Sequence, residues 1–130
     1  MLRKLLGIAA IACAFTVPAL AADPDRSLEQ AKVAAGEVMF RQNCMACHSP
    51  DPATNAFGPS LVGVRGRQAG TLPRFAYSDA LKSSGIVWTD EKLRAWLADN
   101  EKLVPGTRMR HVSIHDPAAQ DFLIAYIGSL

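Results

Sequence analysis

Cys44-Met45-Ala46-Cys47-His48 carries two thiols three residues apart, with an imidazole directly after the second. At the end of a helical turn, thiols at that spacing reach the two vinyl groups along one side of a porphyrin. The next side chain is then held under the iron, where imidazole is a strong axial ligand. Competing chemistries fit poorly. A four-cysteine zinc site needs a second cysteine pair, and the remaining cysteine, Cys13, lies in an apolar leader. A thioredoxin-type redox pair belongs in a βαβ setting, and the chain shows no strand alternation. The motif therefore predicts one covalent c-type haem, with Cys44 and Cys47 as anchors and His48 as an iron ligand.

The opposite face of the iron needs a ligand from elsewhere, and the candidates are Met39, Met45, Met109, His111 and His115. Met39 lies on the helix that carries the cysteines, and Met45 is pinned on the attachment edge. Met109 ends Val104-Pro105-Gly106-Thr107-Arg108, a segment too rigid and polar for a helix, and it belongs to no apolar stripe. It is the favoured ligand, because Met/His ligation is the pattern that raises the reduction potential. His111, two residues on, is read as a surface histidine with a competing role for iron at alkaline pH as the alternative.

The 130 residues suggest one domain preceded by a leader. Arg3 and Lys4 precede an almost wholly apolar run from Leu5 to Leu20, and Ala19-Leu20-Ala21 is a small-x-small cleavage site. That is a secretory signal peptide over residues 1–21, cut after Ala21 or Ala22. The run is short for a membrane span and is broken by Pro18. The formal net charge of +2 comes from 14 basic and 12 acidic residues. Losing Arg3 and Lys4 with the leader brings the balance to zero, so neither nucleic-acid binding nor stable membrane insertion is expected. Arg65, Arg67, Arg74, Arg108 and Arg110 lie in acid-poor stretches, as solvated loops or as a modest positive rim around a docking site.

Four helices are predicted. The first opens at a Ser27/Gln30 capping box and runs to about Cys44. One apolar row on it is Leu28, Ala31, Ala35, Val38 and Met39, and another is Gly36, Phe40 and Cys44. Ser78 caps Asp79 to Ser84, stopped by Gly85, and Thr89 caps a helix whose apolar face is Leu93, Trp96 and Leu97. Asp116-Pro117 starts the last helix, lined by Phe122, Leu123, Tyr126 and Ile127. The connections at about 49–77 and 100–115 are long for a compact domain, and a flat apolar cofactor would give them the core they lack.

With Gly58-Pro59-Ser60-Leu61, Gly66-Arg67, the run Phe75 to Ala80, Gly85-Ile86-Val87-Trp88, Pro105 to Met109, and Leu123 to Tyr126, the chain resembles class I cytochrome c of the mitochondrial and bacterial c2 type. The resemblance runs from Gly36 to Tyr126. It implies an all-α, small cytochrome c fold over residues 22–130, with helices and long loops wrapped around one covalently bound haem and its iron. It further implies that the Pro59 carbonyl accepts from His48, that Arg67, Tyr77 and Trp88 donate to the haem propionates, and that Thr107 lies near a propionate and an internal water. Gly36 and Phe40 would cross Leu123 and Tyr126.

Two strong protein ligands leave iron no open position, so the expected function is one-electron transfer rather than catalysis. The partners would be membrane oxidoreductase complexes, an oxidase or a reductase, met in the periplasm by a monomer. The rivals are a dedicated cytochrome subunit of a periplasmic dehydrogenase and a haem peroxidase or gas-binding protein with a labile Met109.

Four positions depart from the family pattern. Trp96 stands for a tyrosine, so its N–H replaces the hydroxyl at the methionine sulfur or the contact is lost. Leu81 replaces an asparagine that helps hold internal water, and His111 replaces a phenylalanine at the haem edge. Asn100-Glu101-Lys102 replaces a basic Pro-Lys-Lys. A drier pocket disfavours Fe(III), which carries one more positive charge, so the reduction potential should lie high for the class. Leu81→Asn is accordingly expected to lower the potential in redox titration, and an unchanged or raised value contradicts the account.

Overall fold

A computed structural model describes residues 23–54 and 56–130. The expected leader, with Cys13 and both cleavage options, lies outside the described residues. Among the described residues five helices follow in order: α1 Pro24–Asn43, α2 Asp79–Ser83, α3 Asp90–Ala98, α4 Asn100–Leu103 and α5 Pro117–Ser129. Among the described residues no strand forms. An antiparallel bridge pairs Gln68 with Val87, and the Trp88 N–H donates to Arg67 O at 3.0 Å beside it.

The caps expected for α2, α3 and α5 are in place. Side chains of Ser78, Thr89 and Asp116 accept from the backbone of Leu81, Lys92 and Ala119. Gly85 follows α2 at φ +65°, a conformation that costs glycine little. The start of α1 differs from expectation. The helix begins three residues ahead of Ser27, with Asp23 as cap and Pro24 in its first turn. Proline's fixed φ is preset for that position and its missing N–H costs nothing there, so Asp-Pro overrides the later Ser/Gln box.

Of the two apolar rows on α1, Gly36-Phe40-Cys44 turns inward, and from the other row only Met39 packs against the core, with Ala35 half-buried. Leu28 and Val38 are exposed, whereas Phe40 is 0% exposed. The reason is that α1 has one helical partner, α5, and meets it along a narrow seam. Phe40 and Tyr126 pack with ring centroids 5.2 Å apart, and Leu123 is fully buried beside them. Each such burial contributes about 1.5–3 kcal/mol. From α3, Leu93, Trp96 and Leu97 complete the core, with Leu81, Trp88, Val104, Ile124 and Ile127. The 100–115 segment, expected as one long loop, opens with α4, whose start Asp99 caps by accepting from Lys102 N–H.

Gly36 sets the helix crossing. A Cβ there would overlap the Phe122 carbonyl and lie 2.8 Å from Tyr126 Cβ. Both neighbours belong to a packed helix and cannot yield cheaply. Gly36→Ala is expected to destabilise the haem-loaded protein by about 3 kcal/mol in denaturant unfolding. A loss below about 1 kcal/mol would show that the two helices slide freely.

Candidate haem-binding site

Cys44 caps the C-terminus of α1, with its N–H on Phe40 O. The chain then winds one irregular turn in which the Cys47 and His48 N–H groups both donate to Cys44 O, at 3.0 and 2.9 Å. That turn sets both half-buried thiols and the His48 ring on one short stretch. Burial, then the neighbouring Cys47, pushes the Cys44 thiol up to about 11.

His48 is buried, and its Nδ1–H donates to Pro59 O at 2.8 Å. The carbonyl can only accept, so this contact fixes the tautomer and leaves the Nε2 lone pair available. Burial lowers the His48 pKa, partly opposed by the Pro59 bond, and keeps the ring in its ligating neutral form. Gly58 makes the approach possible. Its N–H donates to Cys47 O at 2.6 Å, and a Cβ there would stand 2.7 Å from His48 Cε1.

Met109 lies half-buried against the core. The Trp96 Nε1–H donates to its sulfur at 3.3 Å, so of the two outcomes left open by the tyrosine replacement, the indole N–H takes over the contact. Asn100 Nδ2 donates to Met109 O at 2.8 Å. His111 is half-buried, with Nδ1 2.8 Å from Val112 O and Nε2 3.2 Å from Trp96 O. A neutral ring has one N–H, so one of these contacts is a donated bond; both nitrogens face backbone carbonyls.

The polar residues expected around a propionate come together in part. Arg67 and Trp88 pair through their backbones, and Trp88 packs edge-on to Trp96 with centroids 5.2 Å apart. Tyr77 is raised in pKa by burial, with the Arg67 charge and a Leu72 backbone hydrogen bond acting against it. Thr107 is buried. The Arg67 guanidinium donates to the carbonyls of Ser60 and Val62, both at 3.0 Å, which commits two of its five N–H groups.

Much of the arginine-rich surface is paired within the chain. Arg65 meets Asp90 at 2.7 Å and Arg110 meets Glu101 at 3.0 Å, while Arg108 donates to Ala76 O at 2.6 Å. Sequence reading missed the polar clasp of the Met109 loop. It comprises Asn100, Glu101 and Gln120, whose Nε2 donates to Ile114 O at 2.6 Å. The Asp99–Lys102 cap pattern was the available signal, because it starts a helix where a loop was read.

Among the described residues no group of three or more His, Cys, Asp or Glu could hold a metal ion. The donor set fits a haem instead. It offers two soft thiols, a neutral imidazole oriented by its second nitrogen, a thioether, and partly buried Leu61, Ile86, Leu103 and Ile114 against which a flat apolar face can lie.

Comparison with known proteins bears on the same residues. Residues 33–130 match the family model described as Cytochrome c. The chain is 42% identical over 127 residues to cytochrome c2 of Blastochloris viridis, an alignment covering 97% of this chain and 92% of that protein. It is 44% identical over 87 residues to cytochrome c2 iso-2 of Magnetospirillum fulvum, covering 67% and 91%. The solved structure of cytochrome cH from Methylobacterium extorquens superposes with a TM-score of 0.69 at 45% identity, over 75% of this chain and 98% of that one.

Gly58→Ala is expected to push the His48 ring off Pro59 O and to cost roughly 2 kcal/mol or more of stability. The measurement is unfolding of the haem-loaded protein together with its yield. Wild-type values in both would mean that the Gly58 contact does not seat the ring.

Proposed function

The chain belongs to the cytochrome c family, and from that membership we propose an exported carrier whose iron is held by His48 and Met109. Members of the family are electron carriers rather than enzymes and hold one covalently attached haem c with its iron, and so does this protein. The haem supplies a one-electron Fe(II)/Fe(III) couple; the chain's own residues anchor, orient and insulate it. Cys44 and Cys47 are the covalent anchors. His48 presents Nε2 because Nδ1 is committed to Pro59. Arg67, Tyr77, Trp88 and Thr107 are the groups proposed to meet the propionate carboxylates, which need donors wherever they are partly buried.

The observation that carries this reading is the hold on the two donor side chains. His48 is fixed at its ring nitrogen by Pro59 at 2.8 Å and Met109 at its sulfur by Trp96 at 3.3 Å. Donors fixed before and after electron transfer keep the reorganisation of the site small. Saturated iron leaves no position for a substrate or gas, which sets this reading apart from a peroxidase or gas sensor. The work site is the periplasm, reached through the leader at residues 1–21 that precedes the domain over 22–130. The carrier acts there as a monomer serving redox-protein partners such as a membrane oxidoreductase, oxidase or reductase. Among the described residues no helix is long and apolar enough to cross a membrane.

Replacing the sulfur tests the ligation. Oxidised Met109→Ala is expected to lose the weak red-end iron–sulfur band and, once reduced, to bind carbon monoxide rapidly, whereas the wild type resists it. A variant with an unaltered spectrum, or a wild type that takes up carbon monoxide as fast as the variant, refutes the pairing.

A further inference from the structure

α4 holds the Met109 loop by two consecutive side chains. Asn100, its first residue, is buried although polar, and its Nδ2 donates to Met109 O at 2.8 Å. Glu101 is exposed; its Oε1 accepts from Gly106 N–H at 2.9 Å and its Oε2 meets Arg110 at 3.0 Å. The gripped positions, Gly106, Met109 and Arg110, bracket the sulfur that Trp96 holds from α3. Burying a side-chain amide is costly unless it is hydrogen-bonded, and Asn100 meets that requirement on the Met109 carbonyl. A proline at position 100 would have no donor and a lysine at 101 no acceptor. A basic Pro-Lys-Lys stretch therefore could not make either contact.

We infer that Asn100 is a positioning residue for Met109, and that Asn100 and Glu101 make α4 a clip that keeps the ligand loop closed over the iron. The inference rests on the His48/Met109 ligation. It assigns Asn100-Glu101 an intramolecular task where a basic stretch would face a partner. Breaking the clip leaves Met109 easier to displace, so an added ligand competes better for iron while the rest of the fold is held by the α1–α5 seam.

The test uses the oxidised, haem-loaded protein, titrated optically with imidazole, and hydrogen exchange of the amides from 107 to 111. Asn100→Ala and Asn100→Asp are expected to tighten apparent imidazole binding about fivefold to tenfold, the scale of one buried hydrogen bond. The aspartate keeps the shape but sets an acceptor and a negative charge against the Met109 carbonyl, so its effect should be at least as large as the alanine's if the bond is the cause. Glu101→Ala changes an exposed side chain and should act in the same direction by about twofold to threefold. Exchange should rise in the loop and stay unchanged in α5. In a Met109→Ala background the Asn100 substitutions should no longer alter imidazole binding. If Met109→Ala changes the iron spectrum while both Asn100 variants and Glu101→Ala bind imidazole like the wild type, the clip is wrong and the ligation stands. If Met109→Ala leaves the spectrum unaltered, the ligation fails and the clip with it.

Discussion

His48 is held at one ring nitrogen by a backbone carbonyl 11 residues further along the chain, and the attachment stretch depends on that contact for its geometry. The imidazole follows directly after the second thiol, so the turn that places Cys44 and Cys47 also places the ring. The turn alone does not decide which nitrogen faces inward; Pro59 does, because a carbonyl accepts only from the protonated nitrogen. Gly58 brings Pro59 close enough, and the carbonyls of Ser60 and Val62 are in turn tied to Arg67. One hydrogen bond to an imidazole thus fixes the course of the loop that follows it.

What the sequence disclosed follows how local the controlling interaction is. The helices at Ser78, Thr89 and Asp116 were legible because each cap is a side chain bonding its own backbone three residues on. The attachment motif was legible because its chemistry fits in five residues. The inward row of α1 was not legible from periodicity, since both rows have helical period and the position of α5 selects between them; the resemblance pointed to Gly36 and Phe40 against Leu123 and Tyr126, and they pack there. The preference fell to Gly36-Phe40 because a missing side chain lets α5 approach, and that is settled by tertiary packing. α4 escaped notice because four residues give too little periodicity to read, although its cap was written as Asp99.

The arginines show a similar limit. Counted along the chain, they suggest a basic rim. In the fold, Arg65 and Arg110 meet carboxylates, while Arg67 and Arg108 meet carbonyls. The two ion pairs contribute little stability, of the order of 1 kcal/mol or less each, but their charges largely cancel at a distance; the two carbonyl-bound guanidinium groups are held in place and keep their charge.

The α1–α5 seam has a consequence for the order of events in the life of the chain. The segment that receives the cofactor ends α1, and the surface on which α1 must lie is supplied by residues 117–129. Synthesis runs from the N-terminus, so the acceptor thiols emerge well before their supporting helix exists. Until residues 117–129 are present, Gly36 and Phe40 have no helix to pack against, so the stretch that carries the thiols lacks the seam that supports it. Docking of the last helix at Gly36 thus ties the far end of the domain to the stretch that carries the thiols.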